Sequence, residues 1–345
     1  MQNRNNFIQN IFSIKNVDAN KVICILGIKI KFRNRKRKHQ LMQNQIQYLS
    51  DRLDTMQYII NNTIDISSFA KAEGQLRLNQ IANAKALKIF DLICKKYNIQ
   101  YWLDCGTFLG AVRHKGFIPW DDDIDLGILR DDYNKIIPIL KEELEQYGFA
   151  IDEGANYEWS SILRIIYKKS SIQIDIFPYD RYYKSNLNIK EQEDLTKRFY
   201  IANNEFYKKY YPKYRDGKTS YPRKELKNLI NNQILEGNLP IQNGALIRGI
   251  EFRFLDNEGK FANYDTVYPL KEIEFEDSMY LSPNNPDQYL CCLYGNWKNF
   301  PKCIYTHKDI AERARNIDLN KEIKNLDNII LKYKKELNNY NKGEV

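Results

Sequence analysis

Six apolar residues, Met42, Ile46, Leu49, Leu53, Met56 and Ile60, follow one another at spacings of four, three, four, three and four. This is a heptad seam with Ile46, Leu53 and Ile60 at a and Met42, Leu49 and Met56 at d, and it predicts a helix. The seam is under three heptads long. It fits either an amphipathic helix lying on the protein's own body or a coiled-coil homodimer through residues 42–60. Before it, residues 7–32 are short β-rich runs about the turn-like NVDAN, ending in the alternating IKIKF. They predict a small β-hairpin, followed by the basic cluster RNRKRK.

After the break at NNTIDISSF, a second helix is predicted over residues 70–97, with Leu76, Ile81, Leu87, Phe90, Ile93 and Cys94 available for a buried face. The period then shortens to that of strands in IQYWLD, IDLGIL, SSILRIIYK and SIQIDIF, with the helical DDYNKIIPILKEELEQYG between the second and third. Strands interleaved with helices predict an α+β or α/β core. Residues 183–259 are polar, rich in Tyr, Asn and Lys, and mostly helical in pattern. Aromatic and Pro-rich text follows, and the chain closes on a charged helical stretch whose charges read as a solvated face.

A chain of 345 residues with 43% hydrophobic positions can bury a substantial core. Its net charge of +9 arises at one end, because residues 1–40 hold ten Lys and Arg against the single acid Asp18, and the remainder balances. A nucleic-acid-binding role is therefore disfavoured, since the body offers no second basic surface. The six cysteines include no C-x-x-C pair, which fits a reducing, cytoplasmic setting. Cys291, Cys292, Cys303 and His307 are a conceivable zinc set, but DQYLCCLYG reads as an apolar helix with cysteines as small hydrophobes. No apolar run approaches the roughly 18 residues that would span a bilayer. The start MQNRNNFIQN also lacks the apolar core of a signal peptide.

The chemistry concentrates in GFIPWDDDIDLGI, where acids interrupt an apolar frame. Strand alternation places Asp123 and Asp125 on one face, with Asp121 on the same parity, while Ile124 and Leu126 enter the core. Carboxylates forced together repel unless a cation lies between them, so the segment predicts a site for Mg²⁺ or Mn²⁺ on Asp121, Asp123 and Asp125. Upstream, Gly106 and Thr107 in LDCGTFLGAVRHKG stand where a helix N-terminus can approach a phosphate. Arg113, His114 and Lys115 follow as candidate cations for a diphosphate. Downstream, Asp175 in QIDIF is an acid inside an apolar strand, costly to bury without a partner. Arg164 is a lesser phosphate candidate, and Trp120 and Tyr179 are aromatics that pack on a ligand ring or in the core.

A Gly-hydroxyl turn, a strand with two acids and a later strand with a third match the template of the nucleotidyltransferase superfamily. More closely, YWLDCGTFLGAVRHKGFIPWDDDIDLGILRDDY (residues 101–133) resembles the signature of the LicD family of phosphotransferases, which includes the fukutin-related proteins. The likeness extends to IDIFPYD, PLKEIEFED, NPDQYL and YGNW. It implies an α+β fold, a nucleotidyltransferase-like mixed sheet flanked by helices, here preceded by a β-hairpin and a coiled-coil-patterned helical extension.

The resemblance also implies transfer of phosphocholine or a polyol phosphate from a CDP-linked alcohol donor to a hydroxyl of a cell-surface glycan of lipopolysaccharide, capsule or teichoic-acid type. By the same likeness Asp123 and Asp125 are the metal-binding acids, Asp121 lies beside them, Gly106 and Thr107 lie at the donor phosphates, and Asp175 is the third acid. Asp123, Asp125 and Asp175 form the catalytic set. The competing reading is a DxD-type glycosyltransferase with a nucleotide-sugar donor, disfavoured by the Gly-Thr turn and the third acid.

Four segments are expected: a basic β-rich start over 1–40, a heptad helix and linker over 41–66, the catalytic domain over 67–320, and a charged helix over 321–345. The basic start suits an anionic membrane surface, where each nearby cation is worth about 1 kcal/mol. That points to a peripheral enzyme at the inner face of the cytoplasmic membrane, acting on a lipid-linked glycan acceptor.

Overall fold

The computed structural model describes residues 12–17, 20–25, 28–33, 35–153, 162–215, 223–249, 261–301 and 317–341. The chain divides into two compact units, Met1–Asp65 and Ile66–Val345.

In the first unit, β1 (Phe12–Val17), β2 (Asn20–Ile25) and β3 (Ile28–Arg33) form an antiparallel meander, with Val17 opposite Asn20 and Ile25 opposite Ile28. The expected hairpin thus gains a third strand from IKIKF. The centre of NVDAN, Asp18 and Ala19, lies outside the described residues, as does the start of the chain up to Ile11. Helix α1 spans Arg35–Thr63. Its first turn is RKRK, residues 35–38 of the basic cluster, because Arg and Lys are good helix formers, while Arg33 ends β3.

The second unit opens with α2 (Gly74–Lys96), β4 (Tyr101–Leu103), α3 (Cys105–His114), β5 (Ile124–Leu129) and α4 (Arg130–Leu144). Next come β6 (Phe149–Asp152), β7 (Leu163–Tyr167), β8 (Gln173–Arg181), α5 (Ile189–Arg215) and α6 (Arg223–Gln233). It continues through β9 (Leu246–Arg248), β10 (Phe261–Ala262), α7 (Tyr264–Val267), β11 (Lys271–Phe275), β12 (Ser278–Ser282), α8 (Pro286–Tyr294) and α9 (Leu319–Asn341).

Strand β8 organises a mixed sheet. One edge runs parallel to β5, with Asp125 opposite Asp175; the other pairs antiparallel with β7 near its start and with β9 near its end. β4 lies antiparallel on the far edge of β5. Ile124, Leu126, Ile128, Ile174 and Ile176 are buried, and α2 and α4 pack against β5 and β8. Gly127 lies opposite Trp102, and a Cβ there would sit 2.3 Å from the indole, so only glycine admits this ring.

α2 is buried from Asn79 through Cys94 on most sides, and α9 covers it through Leu326, Ile329, Ile330 and Tyr333. The closing helix is amphipathic: its apolar side joins the main core, and its charged side, the face expected to be solvated, also pairs Asp327 with Lys85 and Glu322 with Lys168. Helices α5 and α6 form a smaller core of their own, Leu195, Phe199, Phe206, Leu226 and Ile230 against Tyr182 and Ile247.

Candidate active site

The in-register pairing of β5 with β8 brings Asp125 and Asp175 side by side on one face of the sheet. Asp123, just before β5, completes a group in which one carboxylate oxygen from each residue lies within 4.8 Å of the others, and Asp121, Asp122 and Asp123 form a second such group. Asp123 and Asp175 are buried. The Asp125 carboxyl is pushed well above the ordinary carboxylate range, first by burial and then by the charges of Asp123, Asp175, Asp121 and Asp104. Hard oxygen ligands gathered at this mutual cost are the donor set a Mg²⁺-class cation takes.

The strand begins only at Ile124, so Asp121 and Asp123 come from the preceding loop rather than from strand alternation. What holds that loop is a polar patch on α2. Asn79 and Asn83 donate to the Asp122 carbonyl at 2.8 and 3.1 Å, and Gln80 donates to the Asp121 carbonyl at 2.9 Å. The Asn79 and Asn83 side chains also accept from the Ser171 hydroxyl and the Gln173 backbone N–H, tying the loop to the start of β8. These bonds hold the backbone of the loop, and with it the three carboxylates, beside β5. The signal was present in the sequence, as polar residues at 79, 80 and 83 interrupting a buried helix.

Gly106 belongs at the cluster: a Cβ there would stand 2.7 Å from an Asp121 carboxylate oxygen and 3.7 Å from one of Asp125. The Thr107 hydroxyl accepts the Asp125 backbone N–H at 2.8 Å and is buried, so this residue locks α3 to β5. Arg164, opposite Asp175 on β7, donates to both Asp175 oxygens at 2.5 Å. It is the partner the buried third acid required.

Arg113, His114 and Lys115 are not brought to the acids. They sit at the other end of α3 from Gly106, about 10 Å along a helix of this rise. Lys115 pairs with Glu274 at 3.2 Å and is exposed, while His114 is half-buried. Arg113 donates to the Trp297 carbonyl at 3.3 Å and has no carboxylate partner among the described residues; burial lowers its pKa to about 10, partly offset by Tyr294. Trp120 is half-buried, edge-on to Phe69, with ring centroids 6.1 Å apart. Tyr179 is a core residue.

Sequence reasoning passed over a buried polar network behind α3. Asp104 caps that helix by accepting the Cys105 N–H, and it also accepts from Tyr179, Tyr289 and Arg248 at 2.7, 2.8 and 3.0 Å. Arg248, on β9, lies over the Phe177 ring with its guanidinium carbon 4.4 Å from the centroid. Arg248 and Asp104 are 2% and 0% exposed, a fully buried ion pair that fixes where α3 starts and hence where Gly106 meets the acids. Nothing local marks Arg248, because its partner is 144 positions away.

Of the conceivable zinc set, Cys291 and Cys292 lie on α8 as free thiols, and Cys303 and His307 fall outside the described residues. No described helix is long and apolar enough to cross a membrane.

Residues 98–243 match a protein family described as LicD/FKTN/FKRP, nucleotidyltransferase domain. Over 117 residues the chain is 36% identical to the lipopolysaccharide cholinephosphotransferase LicD of Haemophilus influenzae, covering 30% of this chain and 44% of that protein. An uncharacterized protein of Rickettsia typhi is 34% identical over 133 residues, 34% of this chain and 42% of the relative. The ribitol-5-phosphate transferase FKTN of Mus musculus is 33% identical over 133 residues, 39% of this chain and 26% of that protein. The matched stretch thus spans less than half the length of each relative. The resemblance to the LicD family read from residues 101–133 is borne out.

Proposed function

We propose that this chain is a metal-dependent transferase that moves a phosphorylated alcohol, phosphocholine or a polyol phosphate, from a CDP-linked donor to a hydroxyl of a cell-surface glycan, with a lipid-linked acceptor as the natural form. The observation that carries the reading is the in-register pair Asp125 and Asp175 with Asp123 beside them, three carboxylates converging within 4.8 Å on one sheet face. Relatives named as a cholinephosphotransferase and as ribitol-phosphate transferases supply the class of group moved.

Asp123, Asp125 and Asp175 are assigned to the cation, with Asp121 adjoining, and the raised Asp125 carboxyl supports that fit. When bound, Mg²⁺ or Mn²⁺ would neutralise the donor diphosphate and the charge that grows on the leaving CMP. The acceptor oxygen bonds to the phosphorus that carries the alcohol, the bridging P–O bond to CMP breaks, and the hydroxyl proton passes to a carboxylate of the cluster. Arg164 holds the plane of the Asp175 carboxylate through two hydrogen bonds. The missing Cβ at Gly106 leaves room beside Asp121 for a phosphate oxygen.

The test is calorimetric titration of CDP-choline, CDP-ribitol, CDP-glycerol and UDP-sugars, each with Mg²⁺ and with EDTA. Binding of one CDP-alcohol that requires the metal is expected. Metal-dependent binding of a UDP-sugar alone would replace this reading with a glycosyltransferase, and equal binding in EDTA would remove the metal from it.

A further inference from the structure

Five of the six seam residues of α1 are exposed, and Ile60 is half-buried. Met42, Ile46, Leu49, Leu53 and Met56 are 50%, 59%, 53%, 58% and 54% exposed. The polar side is self-satisfied, with Gln40 donating to Asn44, Gln47 to Asp51 and Arg52 to Tyr48 along the outward face. A 29-residue helix with an uncovered apolar seam does not stand alone in water.

The seam is narrow. Its flanking e positions are Gln43, Ser50 and Gln57, and its g positions are Gln45, Arg52 and Ile59. A helix lying on a globular body needs a wider apolar face, whereas a two-position seam meets its own copy. Isoleucine at two of the three a positions, with Leu and Met at d, suits two parallel strands.

The meander that precedes α1 presents the same need. Its register aligns Phe12, Ile25 and Ile28 in one rung and Ile14, Ile23 and Ile30 in the rung two along, so two wholly apolar rungs share one parity, and Ile28 is 67% exposed. Lys15, Lys29, Lys31 and Arg33 fall in rungs of the other parity, and Lys21 alone of the strand cations falls in the apolar one, in its last rung beside Asn16 and Phe32. That division argues against a bilayer as the cover, since a sheet with its apolar face in lipid would hold four of the five cations away from the headgroups and carry Lys21 toward the lipid.

We propose that the first unit is a homodimerisation module: a second copy of this chain covers α1 as a parallel coiled coil and, at the same end, covers the apolar face of the three-stranded sheet. Two seams together remove about 1,000 Å² from water, at the lower bound for a specific interface. The apposed sheets carry the interface past that bound. A parallel pair also brings two copies of the cationic run 33–38 to one end, so association tightens as salt is raised.

Sedimentation velocity on the full chain at micromolar concentration is expected to show a dimer that strengthens from low to high salt. Ile46→Asp with Leu53→Asp should weaken association by about 100-fold while leaving donor binding by the second unit unchanged. Because that pair of changes can also melt α1, a crosslinking arm is read beside it. Leu49→Cys at a d position should form an interchain disulfide under mild oxidation, whereas Tyr48→Cys on the outward face and the unaltered chain should not. A monomer at all salt concentrations, or a dimer indifferent to the seam variants, overturns the proposal. A seam-dependent dimer that Leu49→Cys fails to link overturns the parallel arrangement. Capture of monomers by phosphatidylserine vesicles, lost as salt rises, would assign the unit to a membrane surface instead.

Discussion

Replacing Asp125 with Asn should stabilise the metal-free protein while abolishing what the cluster is for. Two carboxylate charges at the outer limit of this cluster, 4.8 Å, repel by about 3.5 kcal/mol at an effective dielectric of about 20, and closer pairs repel more. Asp125 faces two such partners, Asp123 and Asp175, and the Arg164 guanidinium offsets the second. The native chain escapes part of the remaining cost by keeping a proton on Asp125, whose folded pKa lies above its unfolded value of about 4. The amide of the variant removes the charge outright, and position 125 retains the backbone N–H bonded to Thr107. The expected gain is about 1–3 kcal/mol.

A carboxyl whose folded pKa is raised costs nothing while both states are protonated and costs more as pH climbs, because the folded state must release its proton against its neighbours. The advantage of Asp125→Asn should therefore be small near pH 4 and grow toward pH 8. Urea denaturation in EDTA at a series of pH values measures it. Adding Mg²⁺ should stabilise the native chain by mass action and leave the variant unmoved. A variant less stable than the native chain at pH 8 in EDTA, or one that gains as much from Mg²⁺, would refute the assignment of these carboxylates to a cation.

Three further outcomes are expected. Burial alone would raise Glu276, but hydrogen bonds and charges from Arg77 and Lys71 hold it at about 2. Its contribution is therefore complete above the ordinary value near 4.5 and fades as pH falls toward 2, and Glu276→Gln should cost about 2 kcal/mol at pH 7 and flatten the acid limb of the stability curve. Acid-unfolding profiles of the two proteins check this. Gly106→Ala puts a methyl 2.7 Å from an Asp121 oxygen, the end of a movable side chain, so stability should change by less than about 1 kcal/mol while Mg²⁺-dependent donor affinity drops about 10-fold or more by calorimetry. Arg248→Met strands the Asp104 carboxylate with two tyrosines for company and should cost about 3–5 kcal/mol, an effect that adding Asp104→Asn should partly reverse in the same denaturation assay.

Local pattern alone determined a good deal. The heptads of α1, the long helix after them, four of the seven strands of the core sheet and the acid-rich segment are all legible, because a period of 3.5 or 2 is imposed by neighbours a few residues apart. So was the need of Asp123, Asp125 and Asp175 for a partner, since carboxylates set in apolar text demand one wherever they end up. Partnership was decided only by the fold. Strand register, set by long-range packing, aligned Asp125 with Asp175 and handed Asp175 to Arg164. Buried asparagines of α2, some 40 positions away, drew the acid loop inward, and Arg248 reached Asp104 from a strand that its own surroundings do not announce. Arg113 to Lys115 adjoin Gly106 in the chain, yet the helix between them carries those cations to the other end of α3. A charge's partners depend on distance in space, and sequence neighbourhood bounds that distance only within a turn or two.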